Sequence, residues 1–308
     1  MPRVSARQLT GGRAAPFLKW AGGKSKLTAA ILGYAPLRCA TYFEPFLGGG
    51  AVFFAMASAQ RFRRAIISDT NGELVNCYRV VRDEVDALLV ALEAHRYDQE
   101  HYYRVRSWDP ASLTPVECAA RTIFLNKTGF NGLYRVNSKG LFNVPFGRLT
   151  KPNFRDEPLL RAASAVLAGI DVRRGDFEDI IADVRRGDFV YLDPPYVPIS
   201  RTSRFTAYAP EAFGEAEQER LAATLRRLRA AGVAALLSNS DCPVTRKLYR
   251  GLPMESVQVA RSINSVPSRR GTVGELLVRS FEKDAGRPKE KANGGQDRRA
   301  SEAARDTR

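Results

Sequence analysis

Asp193, Pro194, Pro195 and Tyr196 follow the apolar run Phe189-Val190-Tyr191-Leu192. Such a run reads as a buried parallel strand, and the two prolines stop its pairing and turn the chain. The tetrapeptide therefore belongs at the carboxyl end of a strand, where open α/β sheets hold their ligands. It gathers a carboxylate, a proline carbonyl and an aromatic face. Together these can accept the hydrogens of an exocyclic amine and stack on the planar ring that carries it. The plainer alternative for the same residues is a rigid strand end with an N-cap aspartate.

A second set is Phe43-Glu44-Pro45-Phe46-Leu47-Gly48-Gly49-Gly50-Ala51, between a strand pattern and a helix pattern. Glycines there permit positive φ and close approach of a ligand, with helix N–H groups facing it. Asp69, nineteen residues past Gly50, closes the next strand, where an acid can accept hydrogen bonds from ribose hydroxyls. A tight turn alone also explains the glycines. With Asp69 they read as a nucleoside site, and the lack of a strict G-x-G-x-x-G leans from nicotinamide cofactors toward S-adenosylmethionine. Upstream, Phe17-Leu18-Lys19-Trp20-Ala21-Gly22-Gly23-Lys24 could hold an anionic group on backbone amides and Lys24. Its other reading is a glycine turn before a helix starting near Ser25.

The third set runs from Asn126 to Gly140 and on through Leu141-Phe142-Asn143-Val144-Pro145-Phe146-Gly147-Arg148. Asn, Arg and Lys read base edges and phosphates, and Phe130 and Tyr134 can wedge or stack. The segment is read as a nucleic-acid contact in preference to a glycine-rich β-hairpin with a solvated charged face.

The elements that must position these residues follow from periodicity. Thr41-Tyr42-Phe43 and Ala65-Ile66-Ile67-Ser68 read as strands with a helix from about Ala51 between them. Asp188 to Asp193 and Val233 to Ser238 are later strands, separated by a charged helix with Leu221, Leu225 and Leu228 on one face. Ser256 to Ala260 and Glu275 to Phe281 read as an antiparallel hairpin closing the sheet. This alternation predicts an α/β fold with a doubly wound, mostly parallel sheet. From about Cys77 to Arg161 it breaks off, so residues 77–161 are read as an insertion with its own task, residues 1–76 and 162–283 as the main domain, and residues 284–308 as a disordered tail.

Composition narrows the function. The chain has 308 residues, 44% hydrophobic, and a formal charge of +15 that points to a polyanionic partner. No Asp or Glu precedes Glu44, while Arg3, Arg7, Arg13, Lys19, Lys24, Lys26 and Arg38 do. No segment reaches the roughly 18–20 apolar residues of a membrane span, and no signal-peptide core is evident, so a cytoplasmic protein without membrane contact is expected. Cys39, Cys77, Cys118 and Cys242 lack metal spacing and are expected to be reduced, inert thiols, with no metal site. His95 and His101, in a polar stretch, are expected at the surface.

The ordered motifs K-W-A-G-G-K, F-L-G-G-G, N-K-T-G-F-N-G-L-Y-R-V-N and D-P-P-Y resemble those of the Dam family, the D12 class of DNA adenine-N6 methyltransferases. The resemblance runs from about Phe17 to Phe281, with Gly175-Asp176-Phe177, Phe205-Thr206-Ala207-Tyr208, Leu237-Ser238-Asn239 and Arg261-Ser262-Ile263 as further matches. It implies a Rossmann-like methyltransferase sheet with an inserted helical and β-hairpin DNA-recognition domain, and S-adenosyl-L-methionine as cofactor. Trp20, Lys24, Glu44, Pro45, Phe46, Gly48, Gly50, Asp69 and Asp193 would line the cofactor pocket, with Asp176 and Phe177 on the cofactor's adenine. Asp193, Pro194 and Tyr196 would be catalytic, acting on an adenine flipped from double-stranded DNA. The chemistry needs no metal and no covalent nucleophile.

Family members of this type often recognise GATC. The resemblance then implies Arg135 on a guanine edge, Lys19 near another base, Leu133 and Pro145 against thymine methyls, and Phe130 and Asn131 in the gap left by the flipped base. Asn126, Asn137, Lys139 and Arg148 complete the expected DNA contacts. Leu149 departs from the pattern, since some members carry an aromatic just after the arginine. A monomer in solution, bacterial or phage and nucleoid-associated, is expected. Competing readings are a methyltransferase of a restriction-modification system with another recognition site, an RNA or protein-glutamine methyltransferase (whose variants usually carry N-P-P-Y), a DNA-binding protein with a decayed site, and a nicotinamide-dependent dehydrogenase.

Overall fold

Phe189, Val190, Tyr191 and Leu192 are all fully buried, which requires their strand to lie inside a sheet covered on both faces. Each such side chain contributes roughly 1.5–3 kcal/mol on leaving water. The computed structural model describes residues 14–197, 213–260 and 272–282. In chain order the elements are α1 (Thr28–Tyr34), β1 (Cys39–Glu44), α2 (Ala51–Ser58), β2 (Phe62–Asp69), α3 (Gly72–Asp83), α4 (Val85–Glu93), α5 (Gln99–Arg106), α6 (Pro115–Thr128) and α7 (Glu157–Leu167). They continue with β3 (Asp171–Arg174), α8 (Phe177–Ile180), β4 (Phe189–Leu192), α9 (Glu215–Ala230), β5 (Ala234–Ser240), α10 (Pro243–Leu248), β6 (Met254–Ala260) and β7 (Thr272–Arg279).

The strands form one sheet in the order β3-β2-β1-β4-β5-β7-β6. The first five are parallel, whereas β7 runs antiparallel to both β5 and β6. The anticipated mostly parallel α/β sheet and its closing hairpin are thus present. The chain winds outward from β1 in one direction and from β4 in the other, so the switch point lies between these two strands. A crevice at their carboxyl ends follows from that topology.

Two local expectations are corrected. The first helix begins at Thr28, three residues beyond Ser25, and its N-cap position is Leu27, which offers no side-chain acceptor. The histidines are buried, not at the surface: His95 Nδ1 and His101 Nε2 lie 3.0 Å apart, and His95 stacks on Phe124 at 4.7 Å. Burial pushes the His95 imidazole down to about 4, with His101 and Arg155 adding to the effect. The polar stretch around them carried no sign of the aromatic cover supplied from α6. Strand β3 was not anticipated, because Asp-Val-Arg-Arg is a short, polar edge strand with one buried residue.

Helices α3 to α7 pack into the same core as the sheet. Leu88, Leu92, Tyr102, Phe124 and Leu160 belong to one cluster with Tyr42 of β1 and Ile67 of β2. Cys77 lies inside α3 and Arg161 inside α7. Between α6 and α7 the chain doubles back through antiparallel bridges at Gly129–Phe146 and Val136–Phe142, turning at Asn137–Gly140. Asn137 Oδ1 holds that turn by accepting from the Lys139 and Leu141 amides.

Candidate active site

The carboxyl ends of β1, β2 and β4 open onto one cleft of about 1750 Å3, lined by Trp20, Lys24, Glu44 to Gly50, Asp69, Asp176 and Asp193 to Tyr196 among others. The sequence brings these residues together through strand ends at a switch point, although they are spread over most of the chain.

The glycine loop after β1 has the conformation its sequence demands. Gly48 and Gly50 have φ of +49° and +69°, a region L side chains rarely enter. A Cβ on Gly48 would stand 2.9 Å from Trp20 Cδ1, and one on Gly50 2.6 Å from the Tyr78 hydroxyl oxygen. The Gly48 amide donates to Asp69 Oδ2 at 3.0 Å, and the Asn71 amide to Oδ1 at 2.9 Å. Burial raises the Asp69 carboxyl above its ordinary value, while these amides oppose the shift. Glu44, at the end of β1, is pushed up to about 8, chiefly by burial, with the Asp193 charge adding and the Tyr42 hydroxyl opposing at 2.6 Å. Burial thus favours its protonated form.

Asp193 is held from two sides. Lys24 Nζ lies 2.9 Å from Oδ1, and the Ser238 hydroxyl donates to the same atom at 2.9 Å. Ser238 is fixed in turn by Tyr191 at 2.9 Å. Burial raises the Asp193 carboxyl, and Lys24 and Ser238 pull it back. Among the described residues none hydrogen-bonds Oδ2 or the Pro194 carbonyl, and both residues line the cleft. The next carbonyl, of Pro195, accepts from Gln218 at 2.8 Å, which pins the turn. Tyr196 donates to Glu275 Oε2 of β7 at 2.5 Å, and Lys24 Nζ stands 4.5 Å from its ring centre.

Ser238, Tyr191 and Glu275 were not singled out for roles in the sequence. Strand register could have found Ser238: Leu192 faces Leu237, so the next pair is Asp193 with Ser238. Glu275 reaches Tyr196 only because β7 inserts between β5 and β6, an order that local pattern does not encode.

Phe46 and Phe177 stack at 5.5 Å, and Asp176 caps α8. Arg220 bonds Asp176 Oδ1 at 2.7 Å and lies 4.9 Å over the Phe177 ring. Phe177 is 2% exposed, so little of its face is open to the cleft.

Beside the cleft, Lys19, Phe130, Asn131, Arg135, Lys139, Pro145 and Arg148 are exposed, and Leu133 and Asn137 are half-buried. Arg135 rests on Asn143, donating to its Oδ1 at 2.7 Å and its carbonyl at 3.2 Å. Asn126 is a correction. It is 1% exposed, so it does not face a nucleic acid directly. Its Nδ2 donates to the Lys19 carbonyl at 2.7 Å and the Gly132 carbonyl at 3.1 Å, and its Oδ1 accepts from the Lys19 amide at 2.8 Å. Phe205–Tyr208, Arg261–Ile263 and residues 284–308 lie outside the described residues. Among the described residues no cluster of three or more His, Cys, Asp or Glu could hold a metal ion, and no helix is long and apolar enough to cross a membrane.

A parallel sheet with a glycine loop at its switch point and Asp-Pro-Pro-Tyr on the neighbouring strand end defines the class of amino-directed methyltransferases. Comparison with known proteins narrows this: residues 20–263 match the family described as D12 class N6 adenine-specific DNA methyltransferase, and the chain belongs to that family. It is 39% identical to the Type II methyltransferase M1.LlaDCHI of Lactococcus lactis subsp. cremoris, covering 86% of this chain and 95% of that protein. It is 40% identical to the Type II methyltransferase M.MjaIII of Methanocaldococcus jannaschii, covering 86% and 99%. It is 38% identical to the DNA adenine methylase of Haemophilus influenzae, covering 85% and 92%. Enzymes of this family generally draw their methyl group from S-adenosylmethionine.

Proposed function

We propose that the protein transfers a methyl group from S-adenosylmethionine to N6 of an adenine flipped out of duplex DNA, with GATC as its site. The observation that carries this reading is a carboxylate, Asp193, with Oδ1 anchored by Lys24 and Ser238, whose Oδ2 and the neighbouring Pro194 carbonyl are engaged by no described residue at the cleft. An amine with two hydrogens satisfies both. The residues around the cleft also suit the cofactor. The glycine loop lines the cleft in a positive-φ conformation, Asp69 retains acceptor capacity, and Phe46 offers an aromatic wall.

The bound cofactor supplies an electrophilic methyl group on a sulfonium centre. Asp193 and the Pro194 carbonyl hold the two amine hydrogens and draw the nitrogen lone pair out of ring conjugation. Lys24 favours the ionised form of Asp193 against its burial, and the carboxylate can take the proton released when N6 becomes substituted. Tyr196, fixed by Glu275, offers its ring to the flipped base. Extrusion of the base answers a geometric need, since the amine is otherwise enclosed in the stack.

Residues 77–161 are read as the target-recognition part and residues 1–76 and 162–283 as the catalytic part of a monomer. Exposed Arg135, Lys19, Pro145 and Arg148, with half-buried Leu133, supply the base and phosphate contacts, and Phe130, 51% exposed, with Asn131 fills the gap in the stack. The two Type II relatives favour a second reading, a modification enzyme paired with an endonuclease of different sequence preference. Transfer of labelled methyl from S-adenosylmethionine to duplexes with and without GATC, alongside Asp193→Ala, tests both. Label confined to GATC adenine and lost in the variant supports the proposal. Label on other adenines keeps the chemistry and replaces the site. No label on any DNA overturns the reading.

A further inference from the structure

Arg148 stands at the crest of a three-residue turn that is closed twice over. The Leu149 amide donates to the Gly147 carbonyl at 2.7 Å, and the Tyr97 hydroxyl sits across the same gap. That hydroxyl accepts from the Leu149 amide at 2.6 Å. It has one proton to give, to the Gly147 carbonyl at 2.6 Å, with the Leu149 carbonyl at 2.9 Å as a second acceptor. The Gly147 amide is taken by the Thr128 carbonyl at 2.9 Å. Every backbone polar group of the two residues flanking Arg148 is thus engaged by the chain itself. The guanidinium is exposed, and among the described residues none forms a hydrogen bond or ion pair with it.

The segment does not need Tyr97 to stay docked on the body. Phe146 packs on Tyr102 at 5.4 Å, the Tyr102 hydroxyl donates to the Val144 carbonyl at 3.0 Å, and Arg106 reaches the same carbonyl at 3.3 Å. On the other side the Phe130 amide donates to the Pro145 carbonyl at 2.9 Å. Tyr102 is fully buried. Tyr97 is only half-buried, directly before Asp98, the N-cap of α5, with its ring 5.0 Å from Phe146. What its hydroxyl adds is a fixed direction for the peptide groups on either side of Arg148.

We propose that Tyr97 is a positioning residue for DNA: its hydroxyl holds the turn so that Arg148 meets a phosphate of the duplex. This rests on the function proposed above, which places Arg148 against DNA. A free guanidinium offers paired N–H donors that match phosphate oxygens, and most protein–DNA hydrogen bonds go to the backbone. A turn already ordered in the free protein spares the cost of ordering it on binding.

The test follows binding of the full chain to a GATC duplex over a series of salt concentrations. Arg148→Ala should reduce the magnitude of the slope of log K against log salt by about one, the mark of one lost phosphate contact. Tyr97→Phe keeps the ring on Phe146 and removes only the hydroxyl. It should reduce the slope in the same direction and weaken affinity roughly 2–10-fold, equally on a duplex without GATC. Placed on Arg148→Ala, the same change should give a factor close to one, because the turn then has nothing to position. A merely structural role would give the same factor in both backgrounds, or would weaken S-adenosylhomocysteine binding as well, and either result overturns the proposal. So does a native salt slope in Tyr97→Phe. A native slope in Arg148→Ala, or failure of the native chain to bind duplex at all, overturns instead the reading of Arg148 as a DNA contact beneath it.

Discussion

Lys24 Nζ sits 2.9 Å from Asp193 Oδ1, which ties the glycine turn after Trp20 to the end of β4. The pair sets the charge state of the proposed catalytic carboxylate. Burial drives that carboxyl upward and Lys24 is the largest opposing influence. Removing the ammonium in Lys24→Met therefore raises the Asp193 pKa further. The acid limb of the kcat–pH profile should move to higher pH, with activity recovering as pH rises. Asp193→Ala, by contrast, should lose about 10²–10³-fold or more in kcat at every pH. Superimposable profiles for Lys24→Met and the native enzyme would remove Lys24 from this role.

Arg135 is exposed and rests on Asn143 through two hydrogen bonds. On the proposed reading it exchanges these for a guanine edge. Arg135→Ala should reduce discrimination between GATC and a site altered at that guanine by about 1–3 kcal/mol, through loss on the cognate site. Competition kinetics on paired duplexes measure this. Equal slowing on both would argue for phosphate contact instead.

Gly50→Ala should weaken both the fold and the cleft. Its φ of +69° disfavours a side chain, and the new Cβ would meet the Tyr78 hydroxyl oxygen, which donates to the Gly48 carbonyl at 3.2 Å. A loss of roughly 1–2 kcal/mol from the backbone alone corresponds to a Tm drop of about 2–8 °C. Affinity for S-adenosylhomocysteine should fall with it. Calorimetry with and without that ligand separates the two effects.

Glu44 makes stability depend on pH. Its carboxyl is raised to about 8 in the fold, while in an unfolded chain it titrates at about 4.3. Between those values the unfolded state has released a proton that the folded state keeps, so stability falls as pH rises from about 4.3 to about 8 and then levels off. Glu44→Gln should flatten this decline. Urea midpoints measured across that range decide it, and parallel slopes would mean that Glu44 is ionised in the fold.

Much of this architecture is legible in the sequence because apolar runs and glycine breaks act locally. Phe189 to Leu192 announces a central strand, and the residues that end strands β1, β2 and β4 line one cleft. What stays hidden depends on partners distant in the chain. Arg121 looks like a solvated helix charge until Glu73, 48 positions earlier, closes on it. His95 and His101 look exposed until α6 brings Phe124 against them. Asn126 looks like a base reader, yet its amide is spent on two backbone segments. Polar residue types advertise hydrogen-bonding capacity, and only the fold decides whether water, a ligand or the chain itself uses it.

The Asn126 bridge also bears on how such enzymes can be rebuilt. On the proposed reading, a segment exchanged between relatives to alter sequence preference takes in more than residues 129–148. The receiving protein must present an asparagine at the last turn of α6 and a matching backbone entry before its tryptophan, or the transplanted loop will lose its footing. The natural cassette is the loop together with the helix that feeds it and the amino-terminal stretch it grips.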